Sequence, residues 1–236
     1  MSLVGRNVLI TGAAGTVGRC LADAFARAGA TLALGVRRPS DVTILQQPSA
    51  ERPPAMVVPC DLRHEEDVVR MVHRVVHGLG RIDAVINAAF VVGPRLAVVD
   101  YPTEPWRNVF ATNVVGTFLV CREVLPWMIR QGHGVILNVT LDVAREARPK
   151  CGAYPVSVSA IEGLTRQLAA EVGESGVCVH TVEVPVEDSM RDDPPSGTDS
   201  AWAATFVQLV ENPPRSLNGQ RIRAVCHCSV SSANGE

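Results

Sequence analysis

The run LITGAAGTVGR, residues 9–19, sets three glycines directly after an apolar strand-like segment and directly before an amphipathic one. Few folds use that junction. A glycine pattern alone is weak evidence, but in this strand-turn-helix context Gly12, Gly15 and Gly18 let a backbone approach a pyrophosphate. The charge of such a group sits at the positive end of the following helix. Thr16 and Val17 lie in the same turn and join the glycines as candidate phosphate contacts.

The rest of the chain repeats that alternation. Short β-branched runs (RNVLITG, TLALGV, MVVPCDL, IDAVINAA, GVILNVT, VCVHTVEV, GQRIRAV) are separated by longer amphipathic ones, notably 65–80, Trp106 to Gln131, Tyr154 to Val172 and 201–212. This is the pattern of βαβ units around a parallel sheet. It predicts an α/β fold, a doubly wound parallel sheet flanked by helices, as one domain over residues 1–236. The proline-rich stretches RRPSDVTILQQPSAERPPA and DSMRDDPPSGTDS read as polar connections without periodicity.

A formal net charge of -2 offers no electrostatic case for nucleic acid or an anionic membrane surface. A small molecule or another protein is the expected partner. No secretory leader follows Met1 and no apolar run approaches the roughly 20 residues that cross a bilayer, so the chain reads as cytoplasmic. Seven cysteines, odd in number and scattered, suit reduced buried thiols better than a disulfide framework. The Cys226 and Cys228 pair lacks a second ligand cluster, so no metal site is expected.

Cofactor preference is readable at the end of the second strand, GVRR. An acidic residue there holds the adenosine ribose hydroxyls of NAD(H). Val36 cannot, whereas Arg37 and Arg38 can pair with a 2′-phosphate. That favours NADP(H).

With these elements in order, the chain resembles the short-chain dehydrogenase/reductase family over nearly its whole length. The resemblance rests on TGAAGTVG at 11–18, CDL with Asp61, NAA with Asn87, WRNVFATNVVGTF with Asn113, GVILNVT, Tyr154 opening its helix, and NGQRI at 218–222. It implies a Rossmann-type sheet in which Asp61, Leu62, Asn87, Ala88 and Asn113 join the glycine turn and Arg37 around the cofactor. It also implies a homodimer or homotetramer, assembled through the helices from Trp106 and from Tyr154.

The resemblance further implies a tetrad in which tyrosine passes a proton, lysine four residues on lowers its pKa and holds the nicotinamide ribose, serine binds the substrate oxygen and asparagine supports a proton relay. Tyr154 and Asn113 match. The lysine position is Val158 and the serine position Leu141, with Thr140 and Asp142 one residue to either side. Lys150 is the only lysine in the chain. The family's glycine after the fourth strand is Phe90, and EVPVED replaces the Pro-Gly step after the sixth. Departures thus cluster at the nicotinamide end. They point to non-redox chemistry (cyclisation, isomerisation or dehydration) on a small, largely apolar, polyketide-like molecule, with Tyr154 as general acid, Asp142 or Glu183 as base, and Thr140 or Asn113 orienting the substrate. An NADPH-dependent carbonyl reductase with an unusual site, or a non-catalytic NADP(H)-binding subunit, are the alternatives.

Overall fold

The computed structural model describes residues 2–46, 54–142, 149–185 and 201–224. The Cys226 and Cys228 pair and the loop 186–200 lie outside the described residues. Seven parallel strands form one sheet: β1 (Asn7–Thr11), β2 (Thr31–Val36), β3 (Met56–Pro59), β4 (Ala84–Asn87), β5 (Gly134–Leu141), β6 (Val177–Val184) and β7 (Arg221–Arg223). Their spatial order is β3-β2-β1-β4-β5-β6-β7. The order reverses between β1 and β4, the switch point at which open α/β sheets leave a crevice at their carboxyl ends.

Helices cover both faces, so the middle of β1, Val8 to Ile10, is a continuous apolar run instead of alternating. Val8 and Ile10 face one apolar layer, packed with α1 (Thr16–Arg27) and α7 (Ala203–Glu211), and Leu9 faces the other. That second layer is built by α3 (Glu65–Leu79), α5 (Thr117–Gln131) and the C-terminal half of α6 (Tyr154–Val172). In α3 the buried residues Val68, Met71, Val72, Val75 and Val76 recur at helical spacing, the stripe that a sheet-facing helix needs.

Two elements depart from the expectations. A helix, α2 (Pro39–Gln46), stands inside the stretch expected to be a connection. Pro39 is pre-organised for a first helical turn and Asp41 suits its positive end, but so short a helix has no room for an apolar stripe. The expected helix from Trp106 begins earlier, with α4 (Thr103–Phe110), and runs through a π-helical turn, Ala111–Gly116, into α5. This 29-residue helix is long and apolar enough by composition to cross a membrane, which corrects the expectation that no run approaches that length. Half of its most apolar stretch is buried, and α5 packs on α3, β5 and α6 as a core helix does.

Five cysteines lie among the described residues, all unbridged, and Cys20, Cys60, Cys121 and Cys178 are buried.

Candidate functional site

A cavity of about 380 Å³ opens at the switch point, over the carboxyl ends of β1, β2 and β4. The glycine turn forms its floor. Gly15 has extended backbone and precedes α1, whose first turn carries no side-chain cap and no acidic residue. The positive end of the helix therefore faces the cavity, where it favours an anion.

The three glycines do different jobs. Gly12 has φ 65°, and a Cβ added to it would lie 2.6 Å from the Ala89 Cα. A Cβ on Gly18 would lie 2.7 Å from the Ala13 Cα and closer still to the Gly12 carbonyl oxygen. Both are fixed by backbone packing against backbone. A Cβ on Gly15 would meet only the Gly12 oxygen, at 3.4 Å. Gly15 is thus the one of the three whose missing side chain leaves room in the groove.

Thr16, Val17, Arg37, Arg38, Asp61, Leu62 and Ala88 all line the cavity. Val36 is buried beneath the rim, and Arg37 and Arg38 are exposed on it. Arg38 already donates from Nε to Asp41 Oδ2 at 3.1 Å, whereas Arg37 makes no such bond among the described residues. The Asp61 carboxylate is gripped by Arg63, Nε to Oδ1 at 2.9 Å and Nη2 to Oδ2 at 2.6 Å. The Arg63 guanidinium holds that carboxyl below its ordinary pKa, against a smaller opposing effect of burial. Cys60 also lines the groove, but burial, with the Asp67 and Asp61 carboxylates nearby, pushes its thiol up to about 12, so it is no nucleophile.

The opposite end is apolar. The lining stops at Phe90, Val91 and Thr112. The Phe90 ring packs against Tyr154, centroids 6.1 Å apart, at the edge of an apolar cluster holding Leu141, Val158 and Val184. Tyr154 is 2% exposed. Its phenol oxygen accepts the Leu141 backbone N–H at 3.0 Å. Burial raises the phenol above its ordinary pKa and the Asp142 and Glu183 carboxylates add to the shift, while the Leu141 bond opposes it. The group therefore keeps its proton across the working range.

The other expected site residues stand apart from the cavity among the described residues. Asn113, in the π-helical turn, is fully buried. Its Oδ1 accepts the Val91 N–H at 2.8 Å, and its Nδ2 donates to the Val91 carbonyl at 2.9 Å and to Ser157 Oγ at 3.0 Å. Asn87 donates to Asn138 Oδ1 at 2.9 Å, and Asn138 in turn to Thr165 Oγ1 at 2.9 Å, a buried polar chain tying β4 and β5 to α6. Thr140 and Glu183 are neighbours across β5 and β6, both buried, on the face opposite to Leu141. Glu183 Oε2 has no hydrogen-bond partner among the described residues. Asp142 lies 3.9 Å from the Arg223 guanidinium. Lys150 is exposed on the turn before α6 and is not part of the lining.

Several contributors were not identified from sequence. Asp41 and Thr112 line the groove, and Ser157 braces Asn113. Ser157 follows Tyr154 by three residues, on the same helical face, which is the one signal that could have found it.

A family model described as short chain dehydrogenase matches residues 6–192. The short chain dehydrogenase mpl6 of Monascus purpureus is 32% identical over 185 residues, 75% of this chain and 63% of that protein, so the chain spans less than two thirds of that relative's length. The NADPH-dependent pterin aldehyde reductase of Arabidopsis thaliana is 31% identical over 172 residues, 73% of this chain and 71% of that protein. A short-chain type dehydrogenase/reductase from Mycobacterium ulcerans superposes with TM-score 0.83 at 24% identity, covering 96% of this chain and 90% of that one, a likeness of fold. The glycine turn at a parallel-sheet switch point and the matched span of sequence agree: this chain belongs to the short-chain dehydrogenase/reductase family.

Proposed function

We infer that the chain binds an NADP(H)-type nucleotide by its adenosine and phosphate end and does not carry out the family's lysine-assisted hydride transfer. One observation carries this reading: among the described residues the groove lining runs from Arg37 past the uncapped start of α1 to Phe90, Val91 and Thr112, with Val158 where a ribose-clamping lysine would stand. Arg37 is the group best able to meet a 2′-phosphate, since Arg38 is engaged by Asp41. Calorimetric titration should give micromolar binding of NADPH, with NADH weaker by about tenfold or more for loss of a charge-assisted contact. Equal affinities would remove Arg37 from the reading, and NADPH oxidation by a carbonyl substrate at ordinary enzyme rates would sink the claim about hydride transfer.

A second reading is favoured by the phenol of Tyr154, which holds its proton and is oriented by the Leu141 N–H. It suits a general acid in non-redox chemistry on a small, largely apolar molecule. On this reading Tyr154→Phe abolishes turnover of that molecule while NADPH still binds. The same variant orphans the buried Leu141 N–H, so thermal unfolding should report a loss of about 1–3 kcal/mol whether or not Tyr154 is catalytic. Turnover that survives the substitution rejects the acid role. Assembly into dimers or tetramers through α4–α5 and α6 is supported by exposed Val115, Phe118, Ile129 and Val156 on those helices.

A further inference from the structure

We propose that Phe90 makes the groove a site for an adenosine phosphate standing alone, of the class of adenosine 2′,5′-bisphosphate, by excluding the nicotinamide riboside half of a dinucleotide. This rests on the nucleotide reading above and narrows its ligand.

The cavity, at about 380 Å³, is near the small end of ligand pockets, which run from roughly 300 to 1,000 Å³. Everything an adenosine phosphate requires lies on the near side of Phe90. The α1 terminus and the open face of Gly15 receive one phosphate, and Arg37 receives another. Thr11 and Thr112 also line the cavity, with their hydroxyl oxygens buried in its wall and without a hydrogen-bond partner among the described residues. Beyond Phe90 the character changes. Leu141, Tyr154, Val158 and Val184 are each at most 5% exposed and form one apolar cluster on which Phe90 rests. A second ribose would press its hydroxyls against Leu141, Val158 and Val184, which cannot bond them, with the buried Tyr154 phenol the one polar group of the four, and unpaired buried polar groups are costly.

The plug is also held in place. On one side the Ala88–Ala89 backbone lies against Gly12 so closely that a Cβ there would come within 2.7 Å of the Ala88 carbonyl oxygen. On the other, Asn113 binds both the N–H and the carbonyl of Val91, and is itself braced by Ser157. Moving the Phe90 backbone clear strains two partly buried hydrogen bonds at the next residue, Val91. Asn113 therefore acts here as a positioning residue for the Phe90 segment.

The test is calorimetry on the full chain with adenosine 2′,5′-bisphosphate, NADPH and nicotinamide mononucleotide. The bisphosphate and NADPH should bind within about threefold of each other, and the mononucleotide not at all, because affinity comes from one half of the dinucleotide. In Phe90→Gly the ratio should move in favour of NADPH by about tenfold or more as the second half gains a place to lie. Wild-type NADPH binding about tenfold tighter than the bisphosphate overturns the inference while leaving nucleotide binding intact. Binding of neither nucleotide overturns both together. The wild-type ratio alone decides the matter if the glycine variant does not fold.

Discussion

Gly18→Ala is expected to destabilise the fold by about 3 kcal/mol or more, whereas Gly15→Ala, three residues away in the same turn, leaves stability within about 0.5 kcal/mol and weakens nucleotide binding instead. The contrast follows from what each new methyl group meets. At Gly18 it meets the Gly12 carbonyl oxygen and, at 2.7 Å, the Ala13 Cα, both backbone atoms of a turn fixed between β1 and α1. Relief requires moving α1, whose Val17, Leu21 and Phe25 are part of the core, off the sheet. At Gly15 the backbone is extended (φ -73°, ψ 165°), which alanine adopts freely, and the methyl group meets only one oxygen at ordinary contact distance. It projects toward the space where an anion would approach the start of α1. Thermal unfolding of the two variants, with NADPH titration of the Gly15→Ala protein, separates the roles. A Gly18→Ala midpoint within about 2 °C of wild type contradicts the packing argument, because 3 kcal/mol corresponds to about 6–12 °C for a chain of this size.

That division of labour was not readable from the sequence, and the reason is general to the site. The order of strands and helices was legible because each strand is an apolar run and each sheet-facing helix carries a stripe, as in Val68 to Val76 of α3. The position of the groove followed from the glycine turn at the switch point. Val158, Leu141 and Phe90 stand where the resemblance to the family expects lysine, serine and glycine, and that expectation is open to the sequence alone. What bonds to what was not. Asp61 is gripped by Arg63 two residues on in a loop, Tyr154 is oriented by a backbone N–H thirteen residues earlier, and Asn113 serves the Val91 backbone; none of these pairings has a periodicity to reveal it. α2 was lost because eight residues cannot show an apolar face. The π-helical turn was lost because one extra residue in a long helix leaves its composition unchanged.

Lowering the pH from 6.5 to 4 is expected to cost the fold about 3 kcal/mol through one side chain, His180. His180 lies on β6 beside Leu137 of β5, is fully buried, and has no hydrogen-bond partner at either ring nitrogen among the described residues. It shares its sheet face with Val182, Val184 and the core residues of α7, an apolar setting in which the Leu217 backbone is the polar group acting on the ring. Burial pushes its pKa down from 6.5 to about 4, and the nearby Leu217 backbone opposes that shift without a well-formed hydrogen bond. The sign follows from proton binding. Between those two values the unfolded chain takes up a proton that the folded chain refuses, so stability is complete above pH 6.5, declines as pH falls and levels off near 4. Asp61 and Asp83, whose carboxyls are held below their ordinary pKa of 3.8 by arginines and backbone N–H groups, lose their own contribution only below that window. Denaturant unfolding at intervals from pH 7.5 to 4 should therefore show a slope that His180→Leu, close in volume and without a titrating group, flattens. A slope that survives His180→Leu assigns the acid sensitivity to other groups and removes the buried imidazole as its cause.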